Sequence, residues 1–340
     1  MAADLMGAGA IDLEKVQAEL NTARAKSGEA TAITSTMNFI VYIGDQGFYE
    51  GALKKARRLS EKHPARVFIL NAHRAPQASV AASSLKVGEA SEAEAERIEL
   101  GIAELTPEVV CSLVNTLRIP GIPDVLWWTA SPVCEPALFK ELTERIDTII
   151  VDSSGTQQGE SAIQELTRFC ERESTVTIRD LAYLRLAPWQ DMVAQFFDDS
   201  DFVSELRCIS TLEITAGSSA EALYLVGWLA SRLGWTPCGR DALCDADGRS
   251  IDVTIKREGQ MRRVLRVAIA TKARTFSAEL GDSSDTVCLE ISDVPAFKRC
   301  APLLHVDNMS LLEKSFLAPA SDRVFDDALR VIYQLLKFAK

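Results

Sequence analysis

Residues 123–152, PDVLWWTASPVCEPALFKELTERIDTIIVD, hold a complete strand–helix–strand unit. Asp124 to Thr129 is an apolar run of strand length, Pro136 opens a helix to about Glu144, and Asp147 to Asp152 is a second run rich in β-branched residues. Trp127 and Trp128 are adjacent, so in a strand they face opposite sides of the sheet. The same grammar extends outward. Residues 36–43 (TMNFIVYI) and 66–71 (RVFILN) predict buried strands around a helix from about 48 to 62. Further helices are expected over 11–26, from Pro107 to about Leu117, and over 159–172. Residues 95–102 alternate like a half-exposed strand, and the small, acidic tract from Ala75 to Glu94 reads as a loop with a helical piece. Without a full helix between 66–71 and 95–102, the sheet is expected to be mixed but mostly parallel, sandwiched by helices in an α/β domain.

Past about residue 175 the pattern changes. Residues 179–199 predict helix with a break at Pro188, 206–215 a strand, and 219–234 a long apolar helix closed by Gly234. Four short alternating runs follow, at 250–257, 263–271, 274–280 and 286–291. In the first, Ile251, Val253 and Ile255 point one way while Asp252, Thr254 and Lys256 point the other, the pattern of an antiparallel sheet with one wet face. A last helix, about 322–338, puts Val324, Ala328, Val331, Leu335 and Phe338 on one stripe. Two domains are therefore expected: an α/β domain over 1–175, and an α+β domain with an antiparallel sheet over 176–340.

Composition sets outer bounds. With 340 residues, 47% hydrophobic and 25% charged, the chain has the balance of a folded globular protein and can bury a sizeable core without metals or disulfides. A formal net charge of −11 disfavours a broad nucleic-acid or anionic-membrane surface, so neither partner is expected. Met1 to Ala10 lacks the apolar core of a signal peptide, and no apolar run is of membrane-spanning length; a cytoplasmic location is expected.

No arrangement of reactive residues announces a catalytic, cofactor or metal site. The eight cysteines form no CxxC, and His63, His73 and His305 are far apart. Most thiols read as small core hydrophobes. Cys238 and Cys244, flanking the turn-like Gly239-Arg240-Asp241, are the exception and a candidate redox pair. Gly155-Thr156-Gln157-Gln158-Gly159 lies between a strand and a helix, where anions can bind, but lacks the lysine of a phosphate loop and reads as a plain turn. Asn71-Ala72-His73-Arg74 follows a strand end, a favoured ligand position in α/β sheets, yet a solvated loop is the simpler reading. The conspicuous residues are aromatic: the Trp127-Trp128 pair, the stripe Trp189, Met192, Val193 and Phe196, and Trp235 after Gly234. Core packing accounts for such stripes, but Trp and Arg are also enriched at interface anchors. Trp128, Arg185, Trp189 and Trp235 are thus candidate partner-interface residues.

Five segments, in order, carry a family resemblance: HPARVFIL (63–70), PDVLWW (123–128), RIDTIIVDSS (145–154), DLAYLRLAPWQDMVAQFFDD (180–199) and LYLVGWLASRLGW (223–235). Through them the sequence resembles the OpcA family of glucose-6-phosphate dehydrogenase assembly proteins. The resemblance implies a non-catalytic partner that binds glucose-6-phosphate dehydrogenase, favours its active oligomer as an allosteric activator and supports NADPH production in the oxidative pentose phosphate pathway. It also implies a link to thioredoxin in some photosynthetic members, without assigning it to particular cysteines here. The alternative expectation is an enzyme acting on a sugar phosphate, with a cleft at the C-terminal strand ends of the N-terminal domain, lined by the 152–160 turn and the 71–74 loop.

Overall fold

The computed structural model describes residues 11–26, 35–87, 91–155, 159–172, 176–259, 263–282, 285–304, 306–317 and 322–338. The chain divides into two compact units, one formed by Met1–Asp152 with Glu173–Arg179 and the other by Ser153–Arg172 with Asp180–Lys340.

The first unit runs α1 (Leu13–Lys26), β1 (Met37–Ile43), α2 (Tyr49–Lys62), β2 (Ala65–Asn71), β3 (Gln77–Val87), β4 (Ser91–Gly101), α3 (Pro107–Leu117), β5 (Asp124–Trp128), α4 (Pro136–Thr143) and β6 (Thr148–Val151). Helix α5 (Gly159–Arg172) belongs to the second unit, and the chain then supplies the first sheet with β7 (Thr177–Asp180). The strand order is β3-β4-β2-β1-β5-β6-β7. The pairs from β4 to β6 are parallel, with Val41 of β1 between Ile69 and Trp127, whereas β3 runs antiparallel to β4. This is the mixed, mostly parallel sheet the alternation implies. Every side chain of β2 is buried, which is why it reads as a continuous apolar run and not as an alternation.

One expectation fails. Most of the tract from Ala75 to Glu94 is not a loop with a helical piece but the hairpin β3–β4, eleven residues a strand. Its alternation is carried by small residues: Ala78 and Val80 are half-buried while Gln77, Ser79 and Ala81 are exposed. Alanine and glutamate favour helix locally, but the cross-strand pairing overrides that weak preference.

The second unit continues with α6 (Leu181–Leu184), α7 (Ala187–Ala194), α8 (Ser200–Val203), β8 (Ile209–Ala216), α9 (Ser219–Leu233), β9 (Thr236–Gly239), β10 (Ala242–Cys244), β11 (Ser250–Arg257), β12 (Val264–Thr271), β13 (Thr275–Leu280), β14 (Thr286–Ile291), β15 (Arg299–Pro302), α10 (Asn308–Leu317) and α11 (Arg323–Phe338). Its sheet has the order β15-β14-β13-β12-β8-β11-β10-β9, antiparallel where the pairs are registered except for parallel β8–β11. The short strands β7, β9, β10 and β15 and the helix α10 have no counterpart in the sequence reading. Leu212, Ile214, Ile251, Val253, Val267, Ile269, Phe276 and Leu289 are buried on one face. There Phe276 meets the edges of Phe196 and Phe202, at 5.6 and 5.8 Å between ring centres.

A disulfide ties the outermost pair of strands at each edge of this sheet. Cys238 of β9 is bonded to Cys244 of β10, with Cα atoms 5.7 Å apart, and Cys288 of β14 to Cys300 of β15, at 4.0 Å. The second pair corrects the expectation of core thiols: Cys288 and Cys300 face each other directly across the β14–β15 ladder, a juxtaposition that spacing alone does not reveal. Cys111 does fit that expectation, being buried, with its thiol pushed up to about 12 by desolvation and then by Glu141, Glu144 and Glu108. No described helix is long and apolar enough to cross a membrane.

Helices α9 and α11 meet at Gly227, where an added Cβ would lie 2.6 Å from the carbonyl oxygen of Ala328 and 2.7 Å from Cγ1 of Ile332. Because one contact is backbone, no rotamer change relieves it. Gly227→Ala is expected to cost about 1–3 kcal/mol by overpacking, despite alanine's better helix propensity, read as a lower midpoint in urea unfolding; a raised midpoint would contradict this packing.

Candidate functional site

In the first unit, β1 is the strand at which the order reverses: one connection leads through α2 to β2, while β5 lies on its other side. In doubly wound sheets the crevice outside the carboxyl ends at such a switch point is where ligands bind, and the first strand-to-helix turn there holds dinucleotide phosphates. That turn is Gly44-Asp45-Gln46-Gly47, without the glycine spacing of a dinucleotide fingerprint.

The two strand ends beside it are packed against each other. Tyr42 near the end of β1 stacks on Trp128 at the end of β5, with ring centres 3.7 Å apart and planes 8° from parallel. Phe139 of α4 meets Trp128 edge-on at 5.1 Å. Thr129 Oγ1 donates to the Tyr42 carbonyl at 2.7 Å, holding the two strand ends together. A Cβ on Gly44 would stand 2.8 Å from Cβ of Ala130, so the loops after β1 and β5 are in contact. In the 3₁₀ turn Gln46–Phe48 that leads into α2, where a phosphate would need free N–H groups, Asp45 Oδ1 accepts from the Gly47 amide at 2.8 Å. This places a carboxylate of the chain itself where a ligand anion would sit, so the turn does not fit a pyrophosphate. Burial, followed by Glu135 and Cys134, pushes the Tyr42 phenol well above its ordinary range, so that it remains neutral.

The neighbouring loop is similarly committed. A ring nitrogen of exposed His73 lies 3.0 Å from the Gly44 carbonyl oxygen. Arg74 donates to Glu99 at 2.7 Å and lies over the Tyr49 ring at 5.0 Å, while the Tyr49 hydroxyl donates to the same carboxylate at 2.6 Å. Burial and the Glu99 hydrogen bond raise the Tyr49 phenol to about 12. The basic group just past β2 is therefore paired internally.

The second unit contains a buried ionic network. The Arg185 guanidinium donates to Ser154 Oγ and Glu221 Oε1, both at 2.8 Å, and to Asn308 Oδ1 at 3.2 Å. Its side chain is 18% exposed and that of Glu221 only 1%. Asp180 accepts from the amides of Ser153 and Ala182 and, at 2.7 Å, from the Tyr224 hydroxyl. Burial and the Asp180 charge hold that phenol far above its usual range. Gly159 packs where a Cβ would come within 3.0 Å of Ala220 Cβ and of the Ser153 carbonyl oxygen. Residues 156–158 of the Gly155–Gly159 turn lie outside the described residues. Among the described residues, no three His, Cys, Asp or Glu side chains converge as a metal set would.

Of the four residues singled out as interface candidates, the three tryptophans are buried: Trp128 is 0% exposed, Trp189 3% and Trp235 4%. Only Arg185 presents a polar tip to solvent, and it is held by the network above. Tyr42, Asp45, Asp180, Glu221 and Tyr224 were missed from sequence. Asp45 and Asp180 had a local signal, each capping a helical turn from two residues away; the contacts of Tyr42, Glu221 and Tyr224 come from 36 to 87 residues away in the chain and had none.

The glucose-6-phosphate dehydrogenase subunit N-terminal domain family matches residues 56–168, and the corresponding C-terminal domain family matches residues 176–329. The two models fall in order and together span most of the chain. The chain belongs to the OpcA family. Two curated relatives named OxPP cycle protein OpcA are similar to it. That of Synechocystis is 38% identical over 133 residues, covering 38% of this chain and 27% of the relative. That of Nostoc punctiforme is 31% identical over 212 residues, covering 62% and 44%. The matched stretches thus span less than half of the OpcA relatives' length. Among solved structures, an oxidoreductase from Sinorhizobium meliloti is 10% identical with a TM-score of 0.47, covering 89% of this chain and 97% of that one. A likeness of that strength transfers no chemistry.

Two substitutions test these packings. Trp128→Ala empties the space beside Tyr42 and is expected to cost about 3–5 kcal/mol of unfolding free energy; an unchanged denaturation midpoint would show the ring to be peripheral. Arg185→Ala leaves the Glu221 carboxylate buried beside a missing cation and is expected to cost about 3 kcal/mol. Arg185→Ala paired with Glu221→Gln should recover part of that loss.

Proposed function

We propose that this OpcA-family chain acts by binding glucose-6-phosphate dehydrogenase and favouring its active oligomer, with no reaction of its own. The supporting observation is the closed switch point. The place where a doubly wound sheet would hold a dinucleotide is occupied by the Tyr42–Trp128 stack and by the Asp45 carboxylate. A protein without a substrate crevice there acts through linkage: it shifts a partner's conformational equilibrium by its differential affinity for the two states. A ~100-fold preference for the active form supplies about 2.7 kcal/mol of bias. By this action the chain supports NADPH production in the oxidative pentose phosphate pathway.

The Cys238–Cys244 disulfide is the element through which redox state would adjust that activity. Cys238 is exposed, and the bond fixes the short β9–β10 ladder at the sheet edge. Reduction leaves that ladder to its few backbone hydrogen bonds.

The experiment mixes the purified chain with glucose-6-phosphate dehydrogenase and follows NADPH formation and co-elution. A higher velocity or lower half-saturation in the mixture is expected, with no turnover of glucose 6-phosphate by the chain alone. The gain is expected to shrink after treatment with a dithiol reductant, and likewise in a Cys238→Ser/Cys244→Ser variant whose melting confirms that it folds. Turnover of a sugar phosphate by the chain alone would instead support the enzyme alternative, and absence of both co-elution and kinetic change would overturn the proposal.

A further inference from the structure

The eight-stranded sheet of the second unit has one face buried beneath helices and apolar packing, and its edges are guarded. Strands β9 and β15 are four residues long, contain Pro237 and Pro302, and are tied inward by the two disulfides. Short, proline-bearing edges resist strand addition. The open face is different. Across four consecutive strands it carries charges of alternating sign: Lys256 on β11, Glu213 on β8, Arg266 on β12 and Glu279 on β13. Neighbours in this row are 2.7, 2.8 and 3.6 Å apart. The small Thr215 and Ala268 beside it are already buried, so the row stands on a low floor.

We propose that this face is the contact surface between two copies of the chain. The order plus, minus, plus, minus is complementary to its own reverse. A second copy stacked face to face, about a two-fold axis parallel to the strands between β8 and β12, lays the row over itself backwards. Lys256 then meets the partner's Glu279, and Glu213 meets the partner's Arg266. A two-fold axis running along the row would instead set Lys256 on Lys256, so the charges select one orientation. Isologous contacts of this kind are the commonest form of homodimer. The five strands β11, β8, β12, β13 and β14, six to eight residues long and ~4.8 Å apart, offer roughly 500–650 Å² in projection. With side-chain relief that approaches the ~800 Å² per partner of a standard interface. The inference does not depend on the dehydrogenase reading.

The test is analytical ultracentrifugation of the full chain at micromolar concentration. A two-copy mass is expected at about 0.15 M salt, with weaker association at about 1 M. Glu213→Lys with Glu279→Lys makes the row uniformly positive and is expected to raise the dimer dissociation constant at least ~10-fold, about 1.4 kcal/mol, with an unchanged circular dichroism spectrum. If that variant fails to fold, a second one decides. In Lys256→Glu/Glu213→Lys/Arg266→Glu/Glu279→Arg all four signs are inverted, the order stays complementary to its own reverse, and the variant should pair with itself as the parent does. A monomeric parent, a dimer indifferent to Glu213→Lys/Glu279→Lys, or a folded but monomeric inverted variant would overturn the proposal. So would a monomeric parent whose charge variant loses the dehydrogenase, because the face would then belong to that enzyme.

Discussion

The stack of Tyr42 on Trp128 is the constraint on which the first unit depends. The two residues are paired across adjoining parallel strands, and their rings meet on the α4 side of the sheet, where Phe139 closes the arrangement. Fully buried rings of this size contribute a large share of core burial energy, and stacked geometry adds ~0.5–1.5 kcal/mol beyond area. The same contact packs the ends of β1 and β5 together at the strand reversal.

The second unit depends on charge satisfied out of water. Asp180 is saturated by two amides and a phenol, and Glu221 is held by Arg185. Such groups tolerate burial only when each finds its partners. Together the two carboxylates fasten the start of α6, the turn at Ser153–Ser154 and the first turns of α9, with Asn308 at the start of α10 joining through Arg185. The result is a frame of helices tied together behind the buried face of the sheet.

Much of this architecture was legible in the sequence, and the exceptions have physical reasons. The strands at 36–43, 66–71 and 124–129 were readable as short continuous apolar runs, and the helices at 107–117, 159–172 and 219–234 from their hydrophobic patterns, with Pro107 marking one start and Gly234 one stop. Gly234 indeed adopts the left-handed conformation of a helix cap, with φ of 70°. The hairpin after residue 77 was hidden because alanine and serine carry little hydrophobic contrast. The strands β9, β10 and β15 have at most four residues, too few to express a period. In the sites, the candidate pairing of Cys238 with Cys244 was readable from proximity alone. The opposition of Cys288 to Cys300 required the β14–β15 register, and the Arg185–Glu221 pair required two helices to be placed. The tryptophans singled out as interface candidates are buried, and that position is a property of packing and not of residue type.

The two edge disulfides bear on how the purified material should be handled. A preparation kept in thiol-containing buffer would lose both margin crosslinks while its helices stayed packed, so gross spectroscopic measures of folding would look normal. Its two outermost ladders would then be held by main-chain pairing alone, so a loss of activity in such a buffer would report the reducing agent in the tube and not an intrinsic weakness of the fold.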